Sequence, residues 1–170
     1  IMVNVPPRFV ANAEKIKGYH LVKRPSLRLI YLGMDVGRDK TPGIASSPPN
    51  PLKDPRVRQA IMAAIDNRLI VKTIMGGNAA PADQLFPEGV VGYDPTIKLA
   101  RPDPERAKRL LAEAGFPNGF TVRLDGPNDR YGNDAAILQA VAAQLARVGI
   151  TVQVNAMPHS RFFAEDEQGN

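Results

Sequence analysis

The most regular pattern of apolar and polar positions lies in the last third of the chain. Phe120 to Asp125 alternates with a period of two, as a half-buried strand does. From Asp134 the period lengthens to that of a helix, with Ile137, Leu138, Val141, Leu145 and Val148 forming one stripe. Asp134 is the predicted N-cap, and Gly149-Ile150 the stop. Thr151 to Ala156 then alternates again. Strand, helix and strand in this order make a βαβ unit, whose strands must run parallel because the helix carries the chain back to the end where it began. A closing helix is expected from Ser160 to Glu167.

Upstream, a short strand over Met2 to Val5 is expected to run into Pro6-Pro7 and a helix over Arg8 to Ile16, ended by Gly18. Residues 20–36 carry apolar side chains on both alternating faces, which predicts a strand buried inside a sheet. Five of the 14 residues from Pro42 to Pro55 are proline, which argues for a loop without regular structure. A helix follows with Asp54 as cap, Pro55 at its first position and Val57, Ile61, Ala64 and Ile65 as its stripe. Another is expected from Asn67 to Met75, ended by Gly76-Gly77. Residues 76–102 show no period, and a structureless connection that long is usually a functional loop or a wrong assignment of elements. Asp103-Pro104 opens a further helix that Gly115 closes. Strands separated by helices define an α/β class.

Composition narrows the chemistry. Among 170 residues there is no cysteine, so disulfides, thiolate metal sites and cysteine nucleophiles are excluded. No stretch reaches the about 18 apolar residues of a membrane span, and the chain, which begins at Ile1, is expected to be soluble, without membrane insertion, and part of a longer protein. The net charge of +5 is local: residues 1–31 hold six bases (Arg8, Lys15, Lys17, Lys23, Arg24, Arg28) and one acid, Glu14, while the remainder is balanced. Aromatics make up only 6%, and the six bases span a helix and two expected strands instead of clustering on one element, which argues against nucleic acid as a partner.

The two histidines, His20 and His159, are far apart and lack a carboxylate at ligand spacing. There is no G-x-S-x-G, P-loop or post-strand G-x-G-x-x-G, so no catalytic residue, metal site or cofactor is expected. Asp125, Asn128, Asp129, Asn133 and Asp134 miss the spacing of a calcium loop and are expected to serve as turn and cap residues. Arg56 and Arg58, at a helix start, could be taken as an anion site, but a solvated or salt-bridged helix face is the expectation. In open α/β sheets ligands bind beyond the carboxyl ends of parallel strands. Three such ends supply the candidate cleft residues: Asp35; Asn128, Asp129, Arg130 and Tyr131; and Met157, His159 and Arg161.

An ordered set of motifs resembles the family-5, peptide/nickel-type solute-binding proteins of ABC transporters. It comprises Val5-Pro6-Pro7, Tyr31-Leu32-Gly33, Asp54-Pro55-Arg56-Val57-Arg58-Gln59-Ala60-Ile61 with Ala64-Ile65-Asp66, Gly76-Gly77 with Ala80-Pro81, Gly92-Tyr93-Asp94-Pro95, the Asp103 to Gly115 helix and Gly149-Ile150-Thr151-Val152. Asp125-Gly126-Pro127-Asn128-Asp129-Arg130-Tyr131 with Asn133-Asp134 is similar to a peptide-transport subgroup. The resemblance implies one lobe, residues 1–170, of a longer two-lobe type II periplasmic binding protein, with a mostly parallel sheet flanked by helices. It further implies a periplasmic or extracytoplasmic receptor, not an enzyme, that passes a peptide or other small solute to ABC transporter permease subunits. Its remaining partner is the second lobe of the same protein. Asp35 departs from the asparagine that many members carry after the Tyr-Leu strand. Two other readings of the residues stay open: a small α/β enzyme domain with its site in loops 76–102 or 125–134, and an interaction domain whose basic first 31 residues meet an acidic partner.

Overall fold

The computed structural model describes residues 5–24, 26–40 and 49–167. Its elements in chain order are helix α1 (Pro7–Ala13), a 3₁₀ turn (Pro51–Lys53), α2 (Pro55–Ala64), α3 (Asn67–Thr73), α4 (Pro104–Glu113), strand β1 (Phe120–Pro127), α5 (Asp134–Ala146), β2 (Ile150–Met157) and α6 (His159–Glu167). They fall into two compact units, one of Ile1–Ile30 with Asn67–Leu99, the other of Tyr31–Asp66 with Ala100–Asn170.

The second unit is built on the βαβ pattern. β1 and β2 pair in parallel, in register from Phe120↔Ile150 to Pro127↔Met157, with α5 as the crossover. Alternation sends Val122, Leu124 and Gly126 to one face of β1. That face meets α5: a Cβ on Gly126 would stand 2.8 Å from the Leu138 side chain. Phe120, Val122, Leu145, Val148 and Ile150 are buried here, and Phe116 packs edge-on against Phe120 with ring centroids 5.1 Å apart. α2 lies on α4 through Val57, Ala60, Ile61, Ala64, Ala107 and Leu111, all buried, and the small alanines permit a close approach. Both helices start as their sequences predict, Asp54 accepting from Arg56 N and Asp103 from Arg106 N, each at 2.8 Å. Gln144 is buried on α5, and its side-chain oxygen accepts the backbone N–H of Asp66 just past α2, so burial leaves that acceptor satisfied.

In the first unit, α1 stops at Ala13, short of the expected Ile16, and continues as turns to Gly18, whose φ of 85° reverses the chain. α3 is followed by one more turn, in which Ile74 N donates to Ile70 O at 2.9 Å. The expected irregular segment from 76 to 102 has no helix or strand. Part of it is held by Gln84, whose side chain donates to Asp94 O at 2.9 Å and accepts from Asp94 N at 2.8 Å, as a neighbouring strand would.

The described residues of the segment 20–36 do not form the expected strand. Among the described residues only β1 and β2 pair in a sheet. Val22, Leu27 and Tyr31 are 73%, 77% and 71% exposed. Alternation reports which way side chains point, whereas a strand also requires a neighbouring strand to pair with its N–H and C=O groups, and among the described residues no strand pairs with this segment. The expected strand over Met2 to Val5 lies outside the described residues except for Val5, which is in no strand. Within the proline-rich loop, residues 41–48 likewise lie outside the described residues. Past them a 3₁₀ turn forms where no regular structure was expected, because Asn50 Oδ1 accepts from Leu52 N at 3.0 Å. α5 begins at Asp134 itself, with Asn133 as the cap residue at φ 59° and no side-chain cap bond. The Asp134 carboxylate is committed elsewhere, to the loop described next.

Candidate functional site

The register that pairs Asp125 with Asn155 and Pro127 with Met157 sends the loop after β1 and the turn into α6 out from the same end of the sheet. Two of the three predicted strand ends therefore come together. Asn128 N donates to Met157 O at 2.9 Å, which extends the pairing one residue past the strands. Asp129 Oδ1 accepts from His159 N at 2.7 Å and lies 3.1 Å from His159 Nδ1. The His159 backbone N–H is the main cause that holds the Asp129 carboxyl below its usual range.

Across the loop, buried Asp134 accepts from Arg130 N at 2.9 Å and from Tyr131 N at 3.0 Å. This explains why Asp134 leaves the cap position: it clamps the loop backbone while placing negative charge in the first turn of α5, where the helix dipole favours it. The Arg130 guanidinium stands 5.6 Å from the centroid of the Tyr131 ring. Among the described residues no carboxylate pairs with it.

Other charges at this end are matched. Asp125 accepts from Arg123 Nε at 2.8 Å and from Asn155 Nδ2 at 2.7 Å. Arg161 Nε donates to Glu165 at 2.6 Å, and this bond, with a smaller contribution from Asp125, raises the guanidinium's pKa. Met157 is buried in the core, so only its backbone carbonyl reaches the loop. The acidic cluster thus does turn and tie work, as expected, and among the described residues no three His, Asp or Glu side chains gather where they could hold a metal ion.

Asp35, the third predicted strand end, is occupied locally. Its carboxylate accepts from Gly37 N at 2.9 Å, Arg38 N at 3.2 Å and Arg38 Nη1 at 2.9 Å. Burial raises its pKa, but the Arg38 and Gly37 N–H groups and the Arg38 charge together hold it below the usual range. A cavity of about 60 Å³ lies within the same unit, lined by residues including Leu32, Met34, Ile61, Val122 and Leu145. It is far smaller than the about 300 Å³ at which ligand pockets begin, and its walls are those of the core. Arg56 and Arg58 are likewise structural. Arg56 pairs with Asp54 and donates to Glu113 O at 2.7 Å, and Arg58 donates to Leu52 O at 2.8 Å. They bind the start of α2 to the end of α4 and to the 3₁₀ turn.

The family model described as "Bacterial extracellular solute-binding proteins, family 5 Middle" matches residues 1–170. The chain belongs to this family. Among curated relatives, a glutathione-binding protein GsiB from Escherichia coli is 34% identical over 163 residues, which cover 96% of this chain and 29% of that protein. The family-5 chain thus spans less than a third of the length of such relatives. Among solved structures, HbpA2 from Haemophilus parasuis aligns over 96% of the chain and 31% of its own, with a TM-score of 0.77 and 26% identity. The periplasmic binding protein DppA from Helicobacter pylori, solved with the peptide STSA, aligns over 66% of the chain and 22% of its own, at TM-score 0.61 and 30% identity. AgaA, solved with agropinic acid, aligns over 70% of the chain and 24% of its own, at TM-score 0.64 and 34% identity. The α/β fold with its parallel sheet is that of type II periplasmic binding proteins.

Arg123, Asn155 and Glu165 belong to this end of the family-5 chain but were absent from the sequence-based candidates. The signal for the first two was present: in parallel register, the polar positions of β1 and β2 opposite the α5 face fall side by side.

Proposed function

We propose that the chain is one lobe of an extracytoplasmic solute receptor that binds a peptide-like solute bearing a carboxylate and delivers it to an ABC importer, without catalysis. A second lobe of the same protein closes over the solute, and permease subunits receive it. The observation that carries this reading is the Arg130 guanidinium, backed by the Tyr131 ring and lacking a carboxylate partner among the described residues, on a loop clamped at the carboxyl end of a parallel strand pair. Guanidinium matches a carboxylate in charge and planar geometry. Glutathione, the peptide STSA and agropinic acid, named with the relatives, all carry carboxylates. The enzyme alternative has less support: the Asp129–His159 pair resembles an acid–base dyad, but no nucleophile is hydrogen-bonded to its imidazole among the described residues.

The test is calorimetry of the full-length protein, freed of bound solute, against glutathione, short peptides, C-terminally amidated peptides and opines. The expected result is about micromolar or tighter binding of at least one carboxylate-bearing solute, and a loss of about tenfold or more in Arg130→Gln, as for a charged hydrogen bond. Unchanged affinity in Arg130→Gln would refute the assignment.

A further inference from the structure

We infer that Asp129 and His159 form a proton-linked latch that positions the Arg130 loop, so that affinity for anionic solute falls as the imidazole loses its proton. This rests on the reading of Arg130 as the anchor. The loop from Asn128 to Tyr131 is fixed on one flank by the buried Asp134 carboxylate and on the other by Asp129, which is tied to the first residue of α6, and by Asn128, whose side chain donates to Ala156 O at 3.5 Å. One carboxylate oxygen receives both the His159 backbone N–H at 2.7 Å and the ring Nδ1 at 3.1 Å.

The backbone bond persists at every pH at which Asp129 is ionised. The ring bond does not. A protonated imidazole brings an N–H and a full charge to Asp129, whereas a neutral ring keeps the bond only in the tautomer with hydrogen on Nδ1. Among the described residues the surrounding charges are engaged elsewhere. On β1, Arg123 is bonded to Asp125, which Asn155 of β2 also engages. On α6, Arg161 is bonded to Glu165. On the loop, Arg130 lies by Tyr131, and on α5 the Asp134 carboxylate is taken up by backbone N–H groups. The imidazolium therefore has one hydrogen-bonded carboxylate, and that carboxylate sits on the residue before Arg130.

Both side chains are about half exposed, at 50% and 48%, so the effect is modest: a change in solute affinity of about two- to fivefold between protonated and neutral imidazole. It acts by changing the fraction of protein whose loop is ready to bind.

The experiment is calorimetry of the full-length protein with a single peptide at about pH 5.5 and about pH 7.5. Wild type, His159→Gln, Asp129→Asn and Arg130→Gln are compared, with circular dichroism as the check on folding. The expected result is an affinity about two- to fivefold weaker at the higher pH in wild type, and a slope removed equally in His159→Gln and Asp129→Asn. Using one peptide throughout cancels the peptide's own titration. A wild-type slope retained in His159→Gln, or no slope in wild type, overturns the latch. If Arg130→Gln abolishes binding while His159→Gln keeps the wild-type slope, the anchor stands and the latch falls. If Arg130→Gln binds as wild type does, the anchor fails and the latch fails with it.

Discussion

Gly119 and Gly149 stand immediately before the first paired residues of the two strands, Phe120 and Ile150, and both have positive φ, 71° and 94°. Their environments differ sharply. A Cβ on Gly119 would overlap the carbonyl oxygen of Gly149 and lie 3.0 Å from its Cα. A Cβ on Gly149 would meet nothing closer than the Gly119 Cα at 3.5 Å, ordinary van der Waals contact. Gly149→Ala therefore carries only the left-handed backbone penalty, about 1–2 kcal/mol. Gly119→Ala carries the same penalty plus that of forcing atoms into filled space, about 1–3 kcal/mol more, and the obstacle is backbone that no rotamer change can move. The expected total for Gly119→Ala is about 2–5 kcal/mol. Urea denaturation followed by circular dichroism reads the difference as a larger fall in midpoint for Gly119→Ala, at unchanged slope. Equal midpoints for the two variants would refute the close approach of Gly119 to Gly149, and with it the register that brings Asp129 to His159.

Leu111→Ala removes one of the largest fully buried side chains, between α2 and α4, and should cost about 2–5 kcal/mol in the same assay; a loss well under 1 kcal/mol would mean that the two helices are not packed as described. The Arg56 side chain is the chief cause that holds the Asp54 carboxyl below the usual carboxylate range, so its contribution to stability is present above that range and is lost as pH falls through its folded-state value. Asp54→Asn should accordingly destabilise at neutral pH and lose less stability than wild type on acidification, read from midpoints at pH 7 and at about pH 3. The 170-residue chain alone should bind solute at about millimolar or weaker, because one face of the solute stays in water; micromolar binding in an NMR titration would place the whole site within it.

Local signals were legible where one residue type can do one job. Asp-Pro at 54–55 and at 103–104 marks helix starts because a carboxylate caps and a proline fits the first turn, and both helices begin there. The parallel pair was legible because strand, helix and strand leave little other choice. Residues 20–36 misled because alternation carries no information about a hydrogen-bonding partner. Asp134 misled by one position because its competing duty, clamping Arg130 N and Tyr131 N, is visible only once the loop is folded. The candidate site followed the same division. Strand ends located Asn128 to Tyr131 and His159, but the bond from Asp129 to a histidine 30 positions later depends on register. Asp35 sat at a predicted strand end, yet its carboxylate is spent on its own turn.

The measurement that tests the solute site most directly is a crystal structure of the full-length protein with a carboxylate-bearing peptide bound. The peptide is expected beyond the carboxyl ends of β1 and β2, with a carboxylate oxygen within about 3.2 Å of the Arg130 guanidinium. A peptide held elsewhere, with Arg130 still open to solvent, would contradict this placement.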